Sequence, residues 1–173
     1  MKPRVIIING PSCAGKTTIA KEICSQSGNK FVHLQIDEFK KLLFTILNKD
    51  QRHNGRNICD NIMLNTAQEL INNKFNIVID TIFNEESGAT QLAKKHLDFF
   101  KNYEMLFVGI DCPLEIRLKR FHEYNDNILR NEKAIIAGCN DFVLCKELYN
   151  LWFDSSELSA REIASKLLVT HSL

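Results

Sequence analysis

Gly10-Pro11-Ser12-Cys13-Ala14-Gly15-Lys16-Thr17 fits the phosphate-binding pattern G-x-x-x-x-G-K-[ST] without a mismatch. Val5-Ile6-Ile7-Ile8 runs just before it, a continuous apolar, β-branched stretch of the kind a strand buried on both faces of a parallel sheet requires. A helix is predicted from Lys16 to about residue 25. Glycines let such a loop turn so that successive N–H groups gather around phosphate oxygens, and the helix N-terminus adds the positive end of its dipole. Gly10, Pro11, Ser12, Cys13, Ala14 and Gly15 are therefore expected to cradle a nucleotide's phosphates. Lys16 would reach the β- and γ-phosphates, Thr17 would ligate Mg²⁺ and Thr18 would add one more donor.

Outward from the loop, alternating strands and helices predict an α/β fold with helices on both faces of a five-stranded, mostly parallel sheet. Strands are expected at 31–36, 75–80, 105–110 and 151–153, besides the first. Helices are expected at 38–44, 58–73, 87–100, 113–124, 131–148 and 159–168. A capping box, Ser159-Ala160-Arg161-Glu162, opens the last of them. In the 58–73 helix Ile58, Ile62, Leu64, Ala67, Leu70 and Ile71 are available to face the sheet. Residues 48–57, polar and containing Arg52, His53, Gly55 and Arg56, read as an exposed loop that either grips a substrate or is a solvated turn.

With 173 residues the chain fits one domain, large enough to fold without disulfides or a structural metal. Lys and Arg total 22 against 21 Asp and Glu, a formal charge of +1, so no whole-protein field draws it to nucleic acid or anionic lipid. Neither a nucleic-acid nor a membrane partner is expected. No apolar run is long enough for a transmembrane helix, and a cytoplasmic location is expected. The six cysteines show no metal-binding spacing and read as reduced thiols. Cys13, beside a helix N-terminus, is either a reactive thiol or loop filler. His33, mid-strand, reads as a packed histidine.

Two strands end in carboxylates at the edge where open α/β sheets bind ligands. Asp37 follows the 31–36 strand. Asp80 ends the 75–80 strand, the arrangement that holds Mg²⁺ or its waters beside a phosphate loop. Arg117, Lys119 and Arg120 lie on the 113–124 helix, where a cation over the γ-phosphate would neutralise charge during transfer. Arg52 and Arg56 could grip the substrate opposite Asp37.

The order of these parts resembles the chloramphenicol phosphotransferase-like kinases. The resemblance is carried by the N-terminal phosphate loop, Asp37, Asp80, Asp111-Cys112-Pro113-Leu114-Glu115 leading into an arginine-bearing helix, and Phe153-Asp154-Ser155-Ser156-Glu157-Leu158-Ser159. It implies a three-layer P-loop NTPase fold in a single kinase domain over residues 1–173, with a lid at about 113–135. It also implies that Asp37 is the general base for a substrate hydroxyl and that the loop from Asp154 and Ser155 lies beside the adenine. Two departures stand out. The family's Arg-rich stretch after the lid helix is matched here by Glu123-Tyr124-Asn125-Asp126-Asn127, with Arg130 a substitute if the lid folds back. The segment between Asp37 and the 58–73 helix is also shorter and more polar, which makes chloramphenicol a poor candidate acceptor.

The chemistry expected is ATP- and Mg²⁺-dependent transfer of the γ-phosphoryl group to a hydroxyl of a small molecule. Lys16, Asp37, Arg117 and Arg120 would be catalytic. The rivals are a nucleoside or nucleotide kinase, whose acceptor phosphate Arg52 and Arg56 would clamp, and a non-catalytic nucleotide-binding switch. Oligomeric state is left open by the sequence.

Overall fold

The computed structural model describes residues 2–47, 52–83, 89–123, 132–137 and 143–170. The chain begins with β1 (Arg4–Asn9), α1 (Lys16–Gln26), β2 (Phe31–Gln35) and α2 (Ile36–Phe44). It continues through α3 (Arg52–Asn72), β3 (Asn76–Thr81), α4 (Ala89–Phe100) and β4 (Glu104–Asp111). Then come α5 (Leu114–Glu123), α6 (Glu132–Ala137), a 3₁₀ helix (Val143–Leu148), β5 (Leu151–Asp154) and α7 (Ala160–Thr170).

The five strands form one sheet in the order β2-β3-β1-β4-β5, and every pairing is parallel. Because all strands point one way, their carboxyl ends share one edge. β1 lies at the centre, paired with β3 through Ile7–Ile79 and with β4 through Ile7–Phe107. From β1 the chain passes to the edge strand β2, returns inward to β3 between them, and then crosses β1 to reach β4 and β5. The phosphate loop thus leaves β1 at the crevice where the direction of winding reverses.

Alternation along β1 explains why the run is apolar throughout. Val5 and Ile7 belong to the core that holds Cys59, Met63, Leu64 and Ala67 of α3 with Leu92, Ala93 and Phe100 of α4. Ile6 and Ile8 face the opposite core, against Ile19, Ala20 and Ile23 of α1 and Ile163, Ala164 and Leu167 of α7. Each of the four strand residues is fully buried, a gain of about 1.5–3 kcal/mol apiece over leaving it in water.

Several expectations are corrected. The sheet is wholly rather than mostly parallel. Residues 52–57 are not an exposed loop but the first turns of α3. A Cβ at Gly55 would lie 2.8 Å from the Phe44 ring and 3.0 Å from Leu47 Cδ1, so the glycine serves close approach of α3 to α2 and the residues that follow it. Ile58 and Ile62 are each 41% exposed, and Cys59 and Met63 face the core instead. Starting the helix six residues earlier does not change its phase: Leu64, Ala67 and Ile71 are buried as expected, Leu70 packs against the same core, and only the first two positions of the stripe shift by one residue. The 131–148 helix is replaced by α6 and the 3₁₀ helix within the described residues. Ile36, read as the end of a strand, opens α2, which places Asp37 in that helix's first turn. Residues 124–131 of the lid expected at about 113–135, with Arg130 and most of the Glu123–Asn127 stretch, lie outside the described residues, as do Cys139 and the Cys145 side chain.

Candidate functional site

The turn from β1 into α1 is made by a backbone that needs its glycines. A Cβ on Gly10 would lie 2.2 Å from the carbonyl oxygen of Ile110 in β4, closer than any real side chain allows. Cys13 and Gly15 have φ of 64° and 89°, both left-handed. Left-handed residues interleaved with others curve the chain into a concave nest that collects N–H groups. Ala14 N–H donates back to the Pro11 carbonyl at 3.3 Å, and the Lys16 ammonium donates to the same oxygen at 3.0 Å. Gly15 caps α1, so the loop runs straight into a helix N-terminus.

Thr17 and Asp80 come together from different elements, 63 residues apart in sequence: the Thr17 hydroxyl donates to Asp80 Oδ2 at 2.5 Å. Asp80 is buried, and His33 Nε2 stands 3.7 Å from the same oxygen. A carboxylate and a hydroxyl, both hard oxygen donors, fit Mg²⁺, which takes few protein ligands and keeps water and phosphate for the rest. Among the described residues no cluster of three or more His, Cys, Asp or Glu side chains is placed to hold a metal. A two-oxygen Mg²⁺ site does not need one.

Two cavities open on this edge. The larger, about 650 Å³, includes Cys13, Thr18, Arg120, Ser155, Leu158 and Ala160 in its lining, a volume in the range of small-molecule sites. The smaller, about 80 Å³, is lined by Ser12, Lys16, Asp37, Lys40, Asp80 and Thr81, among others. Lys16 and Thr17 border both. The loop thus separates a roomy chamber from a tight carboxylate-bearing one.

The two arginines expected on the helix after Pro113 part company. Arg120 donates from Nη1 to the Cys13 carbonyl at 3.3 Å and to Ser155 Oγ at 3.1 Å, and from Nη2 to the Ser155 carbonyl at 2.8 Å. It ties α5 to the phosphate loop and to the loop after β5. Arg117 does not reach the phosphate edge. It is buried, donating to the carbonyls of Cys112 at 3.0 Å and Ile135 at 3.2 Å, and so fixes the start of α5 to α6. Three residues apart on α5, the two side chains reach different partners: Arg117 the Ile135 carbonyl of α6, Arg120 the phosphate loop and the loop after β5. Asp154 acts on its loop from within: Oδ1 accepts from Ser156 N–H at 2.7 Å and from Ser156 Oγ at 2.6 Å, and Ser155 rather than Asp154 lines the large cavity.

On the other side, Arg56 is held inside the fold. Its Nε donates to Asp60 Oδ2 at 2.6 Å, and Nη2 to Thr81 Oγ1 at 3.1 Å and to the Ile82 carbonyl at 2.7 Å. Asp60 is fully buried, with His96 Nε2 3.4 Å from Oδ1. Burial works against the Asp60 carboxylate, but His96 and Arg56 outweigh it and hold its pKa below the ordinary value. Arg52 opens α3, and its side chain lies outside the described residues.

Sequence reasoning missed Lys40, Asn9 and the Asp60–His96 pair. Lys40 Nζ stands 3.1 Å from Asp37 Oδ1, a spacing legible once 37 and 40 are placed on one helix face. Asn9, fully buried, accepts from Phe83 N–H at 2.9 Å and donates to the Tyr149 hydroxyl at 2.5 Å. Nothing in the sequence marks it, because its partners are 74 and 140 residues away.

The family model for chloramphenicol phosphotransferase-like proteins matches residues 3–172. The chain belongs to that family. As a member of the chloramphenicol phosphotransferase-like family it is a nucleotide-binding P-loop kinase, a phosphotransferase. No curated protein matches the sequence. A putative kinase from Chloroflexus aurantiacus is similar in fold at 13% identity, with 98% of this chain and 96% of that one covered and a TM-score of 0.68. Shikimate kinase from Acinetobacter baumannii, in complex with shikimate, is 22% identical, with 96% and 90% covered and a TM-score of 0.66. A chain of the Pnkp1/Rnl/Hen1 RNA repair complex is 17% identical with a TM-score of 0.65; 86% of this chain is covered, but it spans only 46% of that one. The fold is therefore shared with an RNA-repair assembly, so near-neutral charge does not by itself rule out a nucleic-acid acceptor. No helix among the described residues is long and apolar enough to cross a membrane.

Proposed function

We propose that this phosphotransferase moves the γ-phosphoryl group of ATP to a hydroxyl of a small molecule, with Mg²⁺ as cofactor. One observation carries the reading: a single small cavity joins Asp37 to Lys16, Thr17 and Asp80 at the end of the phosphate loop. A nucleotide whose adenosine lies in the large chamber near Ser155 and Leu158 would thread its phosphates through the loop and present the last of them to Asp37.

Lys16 and the loop N–H groups would hold the phosphates, and Thr17 with Asp80 would hold Mg²⁺, which would supply positive charge against the phosphates. Asp37 orients the acceptor hydroxyl. As the acceptor oxygen bonds to phosphorus, the bond to the β-phosphate oxygen breaks, ADP leaves with that electron pair, and the hydroxyl proton passes to Asp37. Arg120, fixed by Ser155 and the Cys13 carbonyl, supplies positive charge beside the loop. Most of the rate gain comes from position and field rather than from covalent chemistry.

A phosphate-bearing acceptor would draw on Arg52 and Arg56. The engagement of Arg56 with Asp60, Thr81 and the Ile82 carbonyl favours an acceptor without a phosphate to clamp. The test is ADP release from Mg²⁺-ATP across sugars, nucleosides, aminoglycosides, phenicols and a 5′-hydroxyl oligonucleotide. Turnover is expected with a small hydroxylated molecule. Asp37→Asn should keep nucleotide affinity and lose turnover by about 10²–10⁴-fold, whereas Lys16→Ala should weaken both. Full turnover by Asp37→Asn would remove it from the role, turnover with the oligonucleotide alone would replace the acceptor class, and ATP binding without transfer to any acceptor would leave a nucleotide switch.

A further inference from the structure

Lys40 is the cation that the site has and the phosphates do not require. It sits three residues after Asp37 on α2, lines the same small cavity, and is only 18% exposed. The other lysine lining that cavity, Lys16, belongs to the phosphate loop and donates to the Pro11 carbonyl. The charges around Lys40 come from three elements: Asp37 on its own helix, Arg56 and Asp60 on α3, and Asp80 at the end of β3 across the cavity.

An ammonium group carries three donors. One goes to Asp37 Oδ1 at 3.1 Å, the carboxylate that on the reading above meets the reacting hydroxyl. Taking a lysine out of water costs free energy unless its donors are met, and burial, with Arg56 adding to it, pushes the Lys40 ammonium below the usual lysine range. For a pair as little exposed as Lys40–Asp37 the desolvation cost can exceed the Coulombic gain, so stabilising the fold does not by itself account for a lysine in this cavity. A group held beside the base, with Asp37 as its one hydrogen-bond acceptor among the described residues, is suited to bind the substrate.

We propose that Lys40 is an acceptor-binding residue that selects molecules carrying an electron-rich oxygen next to the hydroxyl to be phosphorylated, as in vicinal diols, sugars and hydroxy acids. A hydroxyl seated on Asp37 places its neighbouring oxygen within about 2.8–3 Å of the ammonium. Lys40 then fixes which of several hydroxyls faces the γ-phosphate, because one oxygen alone fills only half of the Asp37–Lys40 pair. The inference rests on Asp37 being the acceptor-side base.

The experiment takes the best acceptor from the screen and its deoxy analogue lacking the adjacent oxygen, and measures both with wild type, Lys40→Met and Lys40→Arg. Lys40→Met is expected to raise the acceptor KM by about 10–100-fold, the loss of a hydrogen bond to a charged group, with the KM for ATP within about twofold of wild type. Lys40→Arg should recover most of the loss. The deoxy analogue should be poor with wild type and barely worse with Lys40→Met. A merely structural Lys40 would move both KM values and the melting temperature together, and that result overturns the proposal. So does an unchanged acceptor KM in Lys40→Met, or a deoxy analogue that wild type uses as well as the parent. Undiminished turnover in Asp37→Asn, or no turnover anywhere in the screen, would instead sink the underlying reading; a dead Asp37→Asn beside a normal Lys40→Met sinks this inference alone.

Discussion

Arg117 and Arg120 differ by less than one helical turn and do opposite work. Arg117 is 2% exposed and answers two buried carbonyls, Cys112 and Ile135. Truncation leaves those acceptors without their partner, each loss costing about 1–3 kcal/mol. Arg117→Leu should therefore lower the urea midpoint strongly while the folded fraction still binds nucleotide with near-normal affinity. Arg120 borders the large cavity and touches the phosphate loop through the Cys13 carbonyl. Its replacement by Ala should lower turnover by about 10²–10³-fold, below the span reported for arginines that act on transferred phosphoryl groups, with a smaller change in midpoint. Unfolding and activity measured side by side decide it: if Arg117→Leu is as stable as wild type but inactive, the assignments are reversed. Arg120 touches Cys112 Sγ at 3.3 Å, and burial pushes that thiol up, so the contact is with a neutral group and leaves the guanidinium charge unspent.

The β1–loop–α1 unit was readable because its signals are local. The G-x-x-x-x-G-K-[ST] spacing, a β-branched run ahead and a helix behind all agree, and the structure puts Lys16 at the first position of α1. Gly10 adds a non-local reason that no motif states, the Ile110 carbonyl 2.2 Å from where its Cβ would be. Gly10→Ala must push β1 and β4 apart at the loop, so it should cost about 1–3 kcal/mol as an overpacked core does and weaken ATP binding with it. An alanine variant with wild-type midpoint and affinity would show that the two strands are free to part there. The first turns of α3 depart from the sequence expectation for the converse reason. The polar 48–57 stretch has loop composition, and what overrides it at 52–57 is tertiary: Phe44 and Leu47 of the preceding segment lie against Gly55. Arg56 followed. As a loop residue it looked free for a substrate, whereas on a helix it stands one turn from Asp60 and pairs with it.

Across the molecule, a chain with 22 basic and 21 acidic residues hides a polar cluster between α3, α4 and the end of β3. The sheet, its two apolar faces and the place of Asp80 in β3 could be read from patterning, because burial on both faces leaves a continuous apolar run, whereas Asp37 falls in the first turn of α2 rather than at a strand end. The contact of Asp60 with His96 could not be read, since it is defined by neighbours 36 positions apart. The cluster makes stability depend on pH. Burial pushes the His96 pKa below its ordinary 6.5, against the pull of Asp60, and the Asp60 carboxyl is held below 3.8. In both cases the unfolded chain binds the proton first. Stability from His96 is present in full above about pH 6.5 and is lost as pH falls toward the folded value, at up to about 1.4 kcal/mol per pH unit; Asp60 adds a second loss in stronger acid. His96→Gln, which keeps a polar group against Asp60, should remove the first loss. Urea midpoints at about pH 7.5 and about pH 5 should fall less in the variant than in wild type, and identical falls in both would show that the imidazole takes up its proton inside the fold without penalty.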